Sequence, residues 1–217
     1  CTQQDKNYYQ YNEIFYILSE YNYSNDLLNK YFLLYTIIEN FMYRYPISKM
    51  LRNQNQEFSI RDFKRFYSSI DSNESQKIIE LINSILEINT GSQKFHDELK
   101  DKLTNFLDRE DIDENELMNF LVKIGVSNKI GEINRSTYFE NLNKYFATTI
   151  YHLRNSILHN TATEYHITHY ELSRCNELVP FLSELIIPYL ERVILYLIHE
   201  SHQIISYDHN SLVLYEG

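Results

Sequence analysis

Leu142-Asn143-Lys144-Tyr145-Phe146-Ala147-Thr148-Thr149-Ile150-Tyr151-His152-Leu153-Arg154-Asn155-Ser156-Ile157-Leu158-His159-Asn160 spaces its apolar residues as a helix does and ends in a polar cluster. Leu142, Phe146, Ile150, Leu153 and Ile157 fall at i, i+4, i+8, i+11 and i+15, the stripe a helix turns toward a globular core. At about 100° per residue Asn155 and His159 share a face, and His152 lies within about 60° of Asn155, so all three stand roughly opposite the stripe. Arg154 is about 140° from His159 on a regular helix. The two meet on one phosphate only if the helix end unwinds or a second chain completes the site. The stretch therefore predicts a core helix that carries Arg, Asn and His away from the core near its C-terminal end.

Outward from this helix, expected at about 137–159, the chain continues in the same manner. Residues 8–21 and 26–45 read as two helices forming an antiparallel hairpin, with Ser24-Asn25-Asp26 offering N-cap chemistry and Pro46 ending or kinking the second. Residues 60–70, 74–88, 95–107 and 114–124 read as shorter helices, with the sharpest break at Thr90-Gly91. A long helical tract is expected over 168–203, punctuated by Pro180 and Pro188, and 207–214 alternates weakly as an edge strand or docking tail would. Four Gly and three Pro in 217 residues leave little turn chemistry, so the fold class is all-α. The length suits one domain over 1–217, with 125–136 as the best internal boundary.

Cys1 and Cys175 form no disulfide framework and no metal-type pair, which fits a reducing cytoplasm. A first residue other than Met points to a piece of a longer protein. Pro188, Glu191 and Arg192 interrupt the longest apolar run, so no membrane span is expected. The net charge of −10 is the wrong sign for gripping long nucleic acid by phosphate neutralisation. Arg44, Arg52, Arg61, Lys64 and Arg65 form the basic-leaning stretch, which is either a local RNA contact or an ordinary solvated helix face. Tyr8-Tyr9-x-Tyr11 and Tyr21-x-Tyr23 offer base-stacking platforms or, more plainly, amphipathic core residues.

With nine Arg and eight His in the chain, Arg-x4-His is expected about 0.3 times by chance, and a looser Arg-x4-6-His about once. Arg192-x6-His199 satisfies the looser form inside the apolar run 193–198 and reads as a decoy. Requiring Asn directly after Arg lowers the expectation for Arg154-Asn155-x3-His159 to about 0.03. That string resembles the R-N-x-x-x-H form of the motif of HEPN domains, and the likeness is specific over residues 150–170. The resemblance implies an antiparallel helical bundle of HEPN type with additional short helices. It also implies a motif near a helix end in the C-terminal half, and active sites formed across a HEPN–HEPN pairing. Residues 153–160 are closest to the Apea-like group, which often forms the C-terminal part of bacterial defence proteins. HEPN toxins paired with a nucleotidyltransferase carry a Tyr two residues after the motif His; here that position is Thr161, which argues against such control.

Cleaving RNA needs a base at the ribose 2′-hydroxyl, an acid at the leaving 5′-oxygen and positive charge against the developing phosphorane. His159 titrates near neutrality and Arg154 offers a permanently charged planar fork, so these types suit the task. Asn155 would orient the imidazole or the phosphate, and His152 and Asn160 are the adjoining substrate-binding candidates. The expectation is a metal-independent, cofactor-free endoribonuclease that leaves cyclic phosphates, pairs as a homodimer through the motif face and serves antiviral or stress defence. One alternative is a non-catalytic module binding nucleotide, RNA or a partner protein; another is a structural helix-end network in which Arg154 pairs with a carboxylate such as Glu164. A metal site built from His159, His166 and His169 with Glu164 and Glu171 lacks diagnostic spacing.

Overall fold

In the computed structural model, the residues described are 8–52, 60–127, 133–158, 167–168 and 176–207. Their regular structure is helical, with no strand among them beyond one isolated bridge between Asn89 and Lys94. A 3₁₀ turn, Tyr8–Tyr11, leads into α1 (Asn12–Tyr23), followed by α2 (Leu27–Arg52), α3 (Ile60–Asp71) and α4 (Glu74–Leu86). Then come α5 (Phe95–Leu107), α6 (Glu114–Lys123), α7 (Arg135–Glu140) and α8 (Leu142–Leu158). The last rod is α9 (Leu178–Pro180), a π-helical stretch (Phe181–Ile186) and α10 (Ile187–His199).

Local chemistry accounts for the starts and stops. Asp26 Oδ1 accepts from the Asn29 N–H, Asn73 Oδ1 from Gln76 and Asp113 Oδ1 from Asn115 and Glu116, each satisfying first-turn donors that the helix itself leaves open. Asn134 and Thr137 cap α7 reciprocally. The N–H groups of Gly125 and Val126 bond back to the carbonyls of Val122 and Leu121 and close α6, with Gly125 at φ +94°. The same pair of bonds closes α10, from Ser201 to Ile198 and from His202 to Leu197, but there the left-handed position, φ +45°, is held by a serine.

The central element is α2, buried on nearly every side by Leu28, Tyr31, Leu34, Ile38, Phe41 and Met42 among others, which a helix surrounded by neighbours requires. It packs against α1, α3, α4, α8 and α10. α2 does not end at Pro46 but runs through it to Arg52. Its last turns are held from outside, where Ser48 Oγ donates to the carbonyls of Gln203 and Ser206. Tyr189 ties α10 to α5 through a 2.8 Å hydrogen bond to the Phe95 carbonyl and edge-on contacts with Phe95 and Phe146. Pro188 lacks the N–H an α-helix would use, and it stands in the first turn of α10, directly after the wider π turns, where a proline is tolerated. Of the tract expected over 168–203, residues 169–175 lie outside the described residues, and among the described ones 178–199 are helical, with Pro180 at the end of the first short stretch. Val126 and Ile133 both bury into the core on either side of residues 128–132.

Candidate active site

The helix expected over 137–159 is two, broken at Asn141 between α7 and α8. Leu142, Phe146, Ile150 and Leu153 are buried as the stripe predicts, and Ile157 packs at its edge. The buried face is wider than the stripe, because Thr149 and Ser156 are buried as well. Thr149 Oγ1 lies 3.2 Å from the buried Tyr138 hydroxyl. α4 and α2 both pack on α8, so the polar face is half-buried rather than open to solvent.

Arg154 stands in the last turn of α8 with 17% of its side chain accessible. Its guanidinium lies over the Tyr35 ring, 5.5 Å from the centroid, and Nη1 donates to Asn155 Oδ1 at 3.0 Å. Nη2 is 3.8 Å from Glu74 Oε1 at the start of α4, close enough to attract and too far for a hydrogen bond. The Tyr35 hydroxyl instead takes that oxygen, donating at 2.8 Å, while one turn earlier the fully buried Tyr31 donates to the Ile150 carbonyl at 2.5 Å. Burial pushes both phenols above their ordinary pKa, and the Glu74 carboxylate adds to the shift at Tyr35, so both remain donors at neutral pH.

Asn155 Oδ1 thus accepts from the guanidinium and steadies it. His152 lies against the end of α6, where a Cβ at position 125 would sit 3.1 Å from His152 Nδ1, and its ring meets Tyr151 edge-on at 5.2 Å. His159 and Asn160 lie outside the described residues, as do His166, His169, Glu164, Glu171, Thr161, Cys1 and Cys175. What the structure fixes is the frame around them. The chain leaves α8 at Leu158 and is back at its last turn by Ile167, whose N–H donates to the Ser156 carbonyl at 2.7 Å. No His, Cys, Asp or Glu cluster suited to a metal occurs among the described residues.

Tyr31, Tyr35 and Glu74 were not nominated from the sequence. The signal available was the i, i+4 tyrosine pair on α2, which only the packing of α2 on α8 turns into a support for Arg154. The second Arg-x6-His match separates into two unrelated groups. Arg192 lies over the rings of Phe95 and Tyr196 and 3.9 Å from Glu98, and the exposed His199 is 2.7 Å from Glu200. Tyr11 and Tyr21 of the aromatic clusters are buried, whereas Tyr23 is exposed. No helix among the described residues is long and apolar enough to cross a membrane.

No protein-family model, no curated protein and no solved structure matches the chain.

Proposed function

We propose that this chain is a HEPN-type domain acting as a metal-independent endoribonuclease. In this reading His159 exchanges the proton, Arg154 stabilises the phosphate and Asn155 holds Arg154 in place. The ribose 2′-oxygen attacks phosphorus and loses its proton to a base, while the 5′-oxygen leaves with a proton from an acid, giving a 2′,3′-cyclic phosphate. A single chain supplies one motif, so a homodimer through the motif face would bring two histidines together as acid and base. Residues 152 and 160 would flank the RNA. A role in bacterial antiviral or stress defence follows from the resemblance alone.

The observation that supports the reading is the way Arg154 is held. Tyr35 and Asn155 fix its plane in the last turn of α8, five residues before His159 in the sequence, while Glu74 attracts it without a hydrogen bond. A prepositioned guanidinium is what electrostatic stabilisation of a phosphorane requires. The net charge of −10 favours a second reading, a non-catalytic module that binds nucleotide, RNA or a partner protein through the same surface. Incubation of the purified chain with total tRNA and a single-stranded RNA in EDTA separates the two. Wild type is expected to leave cyclic phosphates, with His159→Ala slower by about 100-fold or more and Arg154→Ala also impaired. Absence of cleavage by the wild-type homodimer leaves the binding module, and equal cleavage by His159→Ala removes that residue from the chemistry.

A further inference from the structure

A groove of about 700 Å³ lies between α3 and α4, lined by Arg61, Lys64 and Ser68 on one wall and Gln76, Ile79 and Glu80 on the other. The volume falls in the range of ordinary ligand sites, and the groove is open to solvent, with the Arg61 and Lys64 charges on one wall. Arg61 and Lys64 are exposed and one turn apart, so both present charge along the same side of α3. Arg44 and Arg52 of the basic-leaning stretch are committed elsewhere. Arg44 donates to the Gln10 carbonyl and Asn40 and lies over the rings of Tyr11 and Tyr207, and Arg52 Nε donates to the Ser48 carbonyl. A second cavity, of about 790 Å³, collects Lys49, Arg52 and His202 at the C-terminal ends of α2 and α4 and just past α10. There the partial negative charge of three helix ends meets Lys49 and Arg52.

The α3–α4 groove has a different setting. Gln76 lies two residues after Glu74, which places it on the opposite side of the first turn of α4 from the carboxylate that meets Arg154. The groove and Arg154 thus flank one helix, about 10 Å across with its side chains, a span short enough for one extended strand to touch both. We infer that this groove holds the phosphate backbone of single-stranded RNA on its way to Arg154, through Arg61 and Lys64. The inference rests on the nuclease reading for its direction and deepens it, because it names how an acidic chain grips its substrate: through a local pair of charges and not through its overall field. Glu80 is the opposing carboxylate of the groove and limits the affinity.

The test uses the 217-residue chain and a fluorescent twelve-nucleotide RNA methylated at every 2′-oxygen, which keeps its phosphates and cannot be cut by 2′-hydroxyl attack. Anisotropy titrations compare wild type, Arg61→Ala with Lys64→Ala, and a charge-matched control, Lys100→Ala with Lys102→Ala, both exposed on α5. The groove variant is expected to bind at least about 10-fold more weakly at moderate salt, its salt slope shallower by about 1.4 for two lost single-strand phosphate contacts. Glu80→Gln is expected to bind more tightly. Equal weakening by groove and control variants, or no binding by wild type, overturns the proposal. Groove-dependent binding of the methylated probe without cleavage of unmodified RNA would instead keep the groove and remove the nuclease.

Discussion

Replacing Gly125 by alanine isolates two costs that the structure separates cleanly. The residue closes α6 at φ +94°, where an L side chain is strained by about 1–2 kcal/mol. Its new Cβ would lie 3.1 Å from Nδ1 and 3.2 Å from Cε1 of His152, so the half-buried ring must yield by a few tenths of an ångström, at about 1 kcal/mol. Restricting the unfolded chain returns about 0.4–1 kcal/mol. The net expectation is a loss of about 2 kcal/mol, or about 4–8 °C in Tm for a chain of this size. Urea denaturation of Gly125→Ala, His152→Ala and the double variant gives a cycle in which His152→Ala costs about 1 kcal/mol less in the Gly125→Ala background. A single variant within about 0.5 kcal/mol of wild type would refute the strain argument, and an additive cycle would refute the contact.

Ser201→Gly should move stability the other way, up by about 1 kcal/mol in the same urea assay, since it removes a left-handed serine and a buried Oγ with no partner among the described residues. Alkaline titration gives a further prediction. Burial raises the phenols of Tyr31, Tyr35, Tyr138 and Tyr189, and burial with Glu191 raises Tyr21 to about 12. Folded pKa values above the unfolded value near 10 mean that the folded state holds these protons more tightly. Stability is therefore complete below about pH 10 and falls as pH rises through the folded values, so tyrosinate absorbance of these residues should appear together with loss of helical circular dichroism. Their ionisation in a chain that remains helical would contradict the buried hydrogen bonds assigned to them.

Apolar spacing and caps made the helices readable in advance. Residues 95–107 coincide with α5 to the residue, and the turn at Gly91 stands where its positive φ is needed. Two outcomes have physical causes that lie outside any local window. Pro46 was expected to end or kink α2; the helix continues to Arg52, and Ser48, just after the proline, is bonded to carbonyls more than 150 positions later. The polar residues of α8 were expected to point away from the core, and the described ones, His152 and Asn155, are half-buried. A helical wheel shows which residues share a side and not how many neighbours surround the helix. Tyr35 and Glu74, which position Arg154, come from two other helices and carry no motif of their own. Residues 150–157 were legible as pattern, whereas their partners became legible only through the packing of α2 and α4 on α8.

The last rod carries apolar pairs that recur every four residues: Phe181 and Leu182, Leu185 and Ile186, Tyr189 and Leu190, Val193 and Ile194, Leu197 and Ile198, all buried. On an unbroken α-helix each such repeat advances by about 40°, so the pairs would spiral out of the core by about 160° from first to last. Wider π turns precess in the opposite sense, and the stretch Phe181–Ile186 cancels part of that drift just where the rod begins. Phase, rather than any single contact, is what this segment contributes. Substitutions that preserve apolar volume should be absorbed here, whereas deleting one residue would rotate every pair beyond it by about 100° and turn the faces that grip α2 and α5 toward water.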